Sequence, residues 1–148
     1  MVQALKAKMK EQKGFTLIEL LAVIVILGII AAIAIPAIGN VINNSKDKAS
    51  VQEGIQILNA AKLYVTDKNP EGSVILNKDG ATAGTKSLAN YLDTVKDDNY
   101  VVNVTYDSAT GKYSYTLSGH GSVAIVNGTG NGASTTVTEQ ALINWKRQ

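Results

Sequence analysis

The sequence predicts an α+β protein in which one long N-terminal α-helix packs on a small antiparallel β-sheet. Two observations support this prediction. An apolar run extends from Phe15 to Ile38, and only Thr16 and Glu19 are clearly polar among its 24 residues. The rest of the 148-residue chain is polar, with short β-branched stretches between turns. The run is long enough to cross a hydrocarbon core of about 30 Å, and the remainder is large enough for a small domain.

The charge distribution predicts an orientation in the membrane. The first 14 residues carry four lysines and one glutamate, a balance of +3, so the remainder carries −1 of the total charge of +2. A basic stretch before an apolar run stays in the cytoplasm, which predicts a single-pass protein with its N-terminus inside. The apolar run is longer than the apolar core of a secretory signal peptide, which has about 7–15 residues. Hydropathy alone is therefore compatible with an uncleaved signal anchor.

The helix is predicted to continue beyond the apolar run as far as Lys68. Asn69-Pro70 ends it, because the residue before a proline avoids the α region. We therefore expect an apolar half-helix over 15–40, followed by a domain over 41–148 that begins with an amphipathic half-helix. The apolar face of that second half contains Val51, Ile55, Leu58, Ala61 and Val65.

Two residues interrupt the first half of this helix, Gly28 and Pro36. A proline inside a helix removes a backbone hydrogen bond and clashes with the carbonyl four residues earlier. A helix kink is therefore predicted at these positions.

The head beyond the long helix is predicted to combine a loop, a short helix and strands. Residues 71–86 are rich in Gly, Asn and Thr and indicate a loop that contains a short strand at Val74–Leu76. Leu88, Tyr91, Leu92 and Val95 have helical spacing, which predicts a short helix over Ser87–Val95.

Three strands are predicted after that helix. Tyr100–Tyr106 and Lys112–Leu117 flank a turn at Asp107–Gly111, and Ser122–Val126 is a candidate third strand. The end of the chain, 136–146, fits either a strand or a short helix, for which Thr136 and Glu139 have the spacing of a capping box.

The residues that most often carry chemistry form no enzymatic or metal-binding pattern here. The chain has no cysteine, so disulfides and thiolate metal sites are excluded, and the near-neutral head gives no basic footprint for nucleic acid. The only histidine, His120, lies between Gly119 and Gly121 and is interpreted as a structural turn residue. The GxGxG spacing of Gly128–Gly132 lacks the strand and helix that flank a phosphate-binding loop. We expect no catalysis, no cofactor and no metal.

The aromatic residues are interpreted as structural. Aromatic side chains that could support a sugar-binding or electron-carrying role are Tyr91, Tyr100, Tyr106, Tyr113, Tyr115 and Trp145. Aromatic residues are, however, ordinary residues of strands and cores. We therefore assign them to packing.

The stretch KGFTLIEL, from Lys13 to Leu20, resembles the processing site of type IV pilins and pseudopilins, which are prepilins with class III signal peptides. In that family a basic leader ends in glycine, a prepilin peptidase cuts after it, the new N-terminal residue is N-methylated, and a glutamate stands at the fifth mature position. The resemblance implies a leader over 1–14, cleavage between Gly14 and Phe15, methylation of Phe15, and an assembly role for Glu19 and Phe15. Pro36 matches a helix-kinking proline common in the family.

Glu19 is the one acidic residue of the apolar run. Inserting a charged side chain near the centre of a membrane costs roughly 2.5–3.5 kcal/mol of free energy. Cleavage would give Phe15 a free amine, and such amines have an ordinary pKa of about 7.7–8.0. The amine could pair with Glu19 within one chain or in a neighbouring subunit, and the resemblance favours the neighbour. A Glu19 that only snorkels to the cytoplasmic interface is the alternative.

The resemblance implies a type IV pilin fold and a structural subunit that polymerises through its N-terminal helices into a surface pilus, for adhesion, motility or aggregation. The implied partners are other pilin copies, the cytoplasmic membrane, prepilin peptidase, an assembly ATPase and a platform protein. The subunit would reside in the cytoplasmic membrane before assembly and in the cell-surface pilus afterwards. In related filaments the segment between Gly28 and Pro36 loosens on assembly.

Three further distinctions concern the kind of protein. The lysine-rich leader and the absence of a C-terminal cysteine pair favour a Gram-positive major pilin. A pseudopilin of a type II secretion or competence system is the alternative within the family. An uncleaved, single-pass anchored binding domain is the alternative from a different class.

Overall fold

The computed structural model describes the backbone of residues 2–128 and 133–146, and the side chains from Leu17 onward within those ranges. The elements in this part of the chain are helices α1 (Val2–Lys68), α2 (Gly121–Asn127) and α3 (Glu139–Asn144), and strands β1 (Val74–Asn77), β2 (Thr85–Ser87), β3 (Val101–Asp107), β4 (Lys112–Ser118) and β5 (Thr136–Thr138). The chain divides into two compact units, Met1–Asn43 and Asn44–Gln148.

The first unit consists of helix α1 as far as Asn43. The helix is assigned without a break through Gly28 and Pro36. The prediction that Gly28 and Pro36 bend the helix in the membrane or the filament stays a prediction.

In the second unit, α1 is amphipathic and ends where the sequence predicts. Val51, Leu58, Ala61 and Val65 of the predicted apolar face are buried, and Ile55 is half-buried. After Lys68 the backbone of Asn69 turns to φ 41°, and the Asn69 N–H donates to the Val65 carbonyl at 2.9 Å. Asparagine tolerates this left-handed conformation better than most residues, so it closes the helix before Pro70.

The five strands form one sheet in the order β2-β1-β3-β4-β5. All neighbours are antiparallel except β1 and β2, which are parallel. The strand register aligns Leu76, Val102, Leu117 and Val137 in one row across the sheet, and each is at most 2% exposed. This row joins Ile57 and Leu58 of α1 in the hydrophobic core. The predicted α+β architecture and the strands near 74–76, 100–106 and 112–117 are confirmed.

The short helix predicted over Ser87–Val95 is wrong. Ser87 belongs to β2 and pairs with Asn77, and the Leu88 N–H donates to the Asn77 carbonyl at 2.8 Å. Only one turn follows, closed by the Tyr91 N–H and the Leu88 carbonyl. Leu88 and Val95 are nonetheless buried, so the helical spacing reflects burial of an irregular segment rather than a helix.

The third strand predicted over Ser122–Val126 is also wrong, because these residues belong to α2. His120 stands at the N-cap, and its ring nitrogen Nδ1 accepts a hydrogen bond from the Ser122 N–H at 3.1 Å. A capped first turn satisfies a backbone donor that would otherwise lack a partner, which outweighs the β-branched composition.

The C-terminal segment contains both predicted alternatives, strand β5 followed by helix α3, but the capping box is wrong. The cap is Thr138, whose hydroxyl accepts from the Ala141 N–H at 3.3 Å, and not Thr136, which begins β5. Glu139 is the first helical residue, and its carboxylate pairs with Lys62 of α1 instead of reaching back to the cap.

Candidate functional site

The first unit exposes an extended apolar surface. Between Leu17 and Ile42, sixteen large aliphatic side chains are 48–71% exposed. Soluble monomers seldom expose apolar patches larger than a few hundred Å². By length and composition, one helix in the described part of the chain is able to cross a membrane, and this is the apolar part of α1. We infer that this surface needs lipid or other protein chains to cover it.

Glu19 lies on this apolar surface, and its side chain is exposed. No lysine, arginine or histidine occurs between residues 17 and 42, so this segment supplies no cation to Glu19. Position 15 precedes Glu19 by four residues in α1, which is one helical turn. The side chains of Gly14 and Phe15 lie outside the described residues, and cleavage between them stays a prediction.

Gly28 is not explained by packing within the chain. A Cβ added at Gly28 would meet no atom within 4 Å, and the same is true at Gly39. By contrast, a Cβ at Gly54 in the second unit would lie 2.6 Å from the Ser122 hydroxyl oxygen. If Gly28 is needed for close approach, the approaching group belongs to another molecule.

His120 has a structural role, as predicted, but a more specific one than a turn residue. It is 2% exposed, and Nδ1 faces the Ser122 hydroxyl at 2.8 Å. Because Nδ1 also accepts from the Ser122 backbone, the proton of the neutral ring is on Nε2. Nε2 lies 3.5 Å from Glu53 Oε2 and has no closer hydrogen-bond partner among the described residues.

Glu53 connects α1 to the segment before β3. Its Oε1 accepts from the Lys96 N–H and, at 3.4 Å, from the Asp97 N–H. Asp97 in turn accepts from the Gly121 N–H at 2.7 Å. The cluster therefore joins α1, the 96–97 segment and α2 through charge-assisted hydrogen bonds. Sequence reasoning missed it, because the contacts that join its three segments are between residues 24 to 67 positions apart.

The described residues contain no group of three or more His, Cys, Asp or Glu side chains placed to hold a metal ion. Residues 129–132 of the predicted GxGxG loop lie outside the described residues. Trp145 and five of the six tyrosines, all but Tyr106, belong to the core or pack against it, in line with a structural role.

Comparison with known proteins supports the processing motif. The family described as "Prokaryotic N-terminal methylation motif" matches residues 9–35. The matched stretch includes the predicted cleavage point, Glu19 and Gly28.

The relatives extend the similarity well beyond this motif. The type IV major pilin protein PilE of Neisseria gonorrhoeae is 39% identical over 102 residues, which is 66% of this chain and 58% of that protein. A fimbrial protein of Dichelobacter nodosus is 36% identical over 111 residues, covering 67% of this chain and 69% of its own length. A type IV major fimbrial protein FimA of the same organism is 34% identical over 122 residues, covering 73% and 76%. No solved structure matches the chain significantly.

These relatives correct one expectation. The Gram-positive origin suggested by the leader and the missing cysteines is not borne out, because neither Neisseria gonorrhoeae nor Dichelobacter nodosus is Gram-positive. The methylation motif, the long N-terminal helix on a mostly antiparallel sheet, and the identity to major fimbrial proteins agree with one another, and the chain belongs to the type IV pilins, the structural subunits of fimbriae.

Proposed function

We propose that this chain is a processed pilus subunit that polymerises with copies of itself through the apolar half of α1, and that it is not an enzyme. The observation that carries the proposal is the exposed apolar surface between Leu17 and Ile42, which begins within the methylation motif at residues 9–35 and continues beyond it. A monomer cannot cover this surface with its own residues. Lipid before assembly and neighbouring helices after assembly would cover it.

Processing would divide the chain into three parts. Prepilin peptidase removes the leader, 1–14, by cutting between Gly14 and Phe15, and Phe15 is then N-methylated. The part over 15–40 crosses the cytoplasmic membrane once, with its start at the cytoplasmic side. The part over 41–148 forms the head.

Assembly would depend on Glu19. The Phe15 amine created by cleavage is a cation, and the apolar segment offers no other cation to this carboxylate. We propose that Glu19 pairs with the Phe15 amine of an adjacent subunit and so sets the axial step between subunits. Removing one member of a buried ion pair typically costs about 3–5 kcal/mol of free energy. A subunit whose Glu19 has no amine partner would therefore not be incorporated stably into the filament.

Extraction from the membrane would need external work. Lipid tails already cover the apolar half-helix, so moving it into a filament core gains little hydrophobic free energy. An assembly ATPase and a platform protein of the membrane would supply this work. Gly28 and Pro36 would let the helix loosen between them during packing, since both weaken a helix interior.

The test is the ratio of surface filament to cleaved membrane subunit in Glu19 variants. Glu19→Gln keeps the shape and removes the charge, so we expect normal leader removal and a strong loss of filament. Glu19→Asp keeps the charge with a shorter reach and should give an intermediate yield. Normal filament yield from cleaved Glu19→Gln protein would contradict the pairing and favour a snorkelling acid.

The relatives favour a pilus over a pseudopilin, because PilE, FimA and the fimbrial protein are major pilins or fimbrial proteins. A secretion pseudopilin would give cleaved subunits without long surface filaments. An anchored binding domain would keep its leader in purified membranes.

A further inference from the structure

A groove of about 580 Å³ lies in the second unit, between the start of its part of α1 and the C-terminal helix α3. Val51 and Leu142 form its floor and are 3% and 1% exposed. Its rim is more exposed than its floor. Ile143 is 54% exposed, and Trp145 is half-buried and packs against the core. The groove is therefore partly apolar, with a buried floor and a more exposed rim.

The groove combines an indole with cations. Lys48 and Lys146 line it, both exposed, and Asn44 and Gln52 add amides, whereas no acidic side chain is among its described lining residues. Tryptophan and lysine are the side chains that favour the boundary between hydrocarbon and headgroups, since each has an apolar body and a polar or charged tip. Lysines near a membrane surface also attract anionic lipids.

The groove begins shortly after the exposed apolar surface of the first unit ends. Asn44 and Lys48 follow Ile42, the last residue of that surface, by two and six residues in the same helix. Six residues span at most roughly 20 Å in any conformation, and the headgroup layer of one leaflet is roughly 5–7 Å thick. If the exposed apolar surface lies in the hydrocarbon core, the chain connection therefore keeps Asn44 and Lys48 within reach of the headgroups.

We propose that this groove binds the headgroup of an anionic phospholipid in the outer leaflet of the membrane that holds the subunit before assembly. The proposal rests on the membrane location given under Proposed function. Lys48 and Lys146 contact the lipid phosphate, and Trp145 and Ile143 lie at the glycerol and upper acyl level. The head is then held on the membrane surface until the subunit is extracted.

The test uses the full chain in vesicles, where Trp145 is the only tryptophan and its fluorescence reports on the groove alone. The vesicles contain phosphatidylcholine with or without phosphatidylglycerol, and lipids brominated either near the headgroup or deep in the acyl chain. We expect shallow bromines to quench Trp145 more than deep ones, and phosphatidylglycerol to increase the quenching. Lys48→Gln or Lys146→Gln should lower the ratio of docked to undocked heads by about fivefold in anionic vesicles. Lys112→Gln, at an exposed lysine outside the groove, should have no effect.

A second probe separates failure of this proposal from failure of the membrane location. In a Trp145→Phe background, Ile26→Trp places an indole in the apolar run, where deep bromines should quench it. If that probe is quenched and Trp145 is not, lipid docking is wrong and the membrane location stands. If neither is quenched, both are wrong. Trp145 that is shielded from acrylamide but not quenched by brominated lipid would show that a second copy covers the groove, which also overturns the proposal.

Discussion

Tyr91 connects the irregular segment after β2 to the end of α1 through a hydrogen bond and a ring contact. Its hydroxyl donates to the Asp67 carboxylate, and its ring meets Tyr64 edge-on, with 5.5 Å between ring centroids. The hydrogen bond from Tyr91, together with the neighbouring Lys68, holds the pKa of Asp67 below its ordinary value. The same bond raises the pKa of Tyr91, because the bond needs the phenol proton.

Tyr91→Phe should therefore destabilise the head in a pH-dependent way. The depressed pKa of Asp67 gives stability that is full above the ordinary Asp pKa of about 3.9 and is lost as the pH falls through the lowered value. The raised pKa of Tyr91 gives stability that is full below about pH 10 and is lost above it. Thermal unfolding from pH 2 to pH 11 should show the largest difference between wild type and variant near neutral pH. A difference that does not change with pH would assign the effect to packing alone.

Gly54 allows α1 to approach α2 closely. A Cβ there would lie 2.6 Å from the Ser122 hydroxyl oxygen and 3.2 Å from Leu117 Cδ2. Ser122 is fully buried and held by His120, so it cannot easily move.

Gly54→Ala should lower the free energy of unfolding despite a better helix propensity. Overpacking costs about 1–3 kcal/mol, and the change from glycine to alanine in a helix recovers about 1 kcal/mol. We expect a net loss of up to about 2 kcal/mol in denaturant unfolding. In a Ser122→Ala background, which removes the nearest oxygen, the loss should shrink. An equal loss in both backgrounds would show that the contact with Ser122 is not the cause.

At the scale of elements, each of the two short helices after β4 begins at a residue whose side chain caps it. His120 caps α2 and Thr138 caps α3. A six- or seven-residue helix is too short to be stable by itself, so its first-turn hydrogen bonds and its packing decide whether it forms.

Thr138→Ala should destabilise α3 and the adjoining strand β5. Loss of a threonine cap typically costs about 1 kcal/mol. Thr136→Ala is the matched control, because Thr136 is exposed and its side chain does not cap α3. The free energy of unfolding of the Thr138→Ala variant should be lower than that of the Thr136→Ala variant by most of this about 1 kcal/mol. If Thr136→Ala has the larger effect, the cap is at Thr136, as the sequence spacing suggested.

The fold was predictable where local chemistry and burial agree. Strands β3 and β4, on either side of the Asp107–Gly111 turn, alternate more buried with less buried residues along most of their length. Asn69-Pro70 ends α1 as expected. Prediction failed where strand pairing or a side-chain cap decided the local structure. The parallel pairing of β2 with β1 made Ser87 a strand residue, and the buried His120 cap turned 122–126 into a helix.

The processing and assembly residues could be proposed from the sequence for a different reason. Gly14, Phe15 and Glu19 lie within six residues of one another, so the motif is recognisable without knowledge of the fold. The Glu53–His120 cluster and the groove at Trp145 combine residues that are distant in sequence. Nothing in the local pattern indicates which of them meet.

At the scale of the whole molecule, most of the exposed large apolar side chains belong to the first unit. The core of the second unit is formed entirely by residues from Val51 onward. Deleting residues 1–40 should therefore leave a soluble, monomeric head with the circular dichroism of a folded α+β protein. An insoluble or unfolded fragment would show that the head depends on the deleted part.

A processed form of this chain is proposed to build a surface filament. The most direct measurement is mass spectrometry of the main protein in sheared surface filaments identified by electron microscopy. We predict an N-terminal peptide that begins at methylated Phe15, with no peptide from residues 1–14. Surface protein that retains residues 1–14, or filaments that lack this chain, would contradict the account.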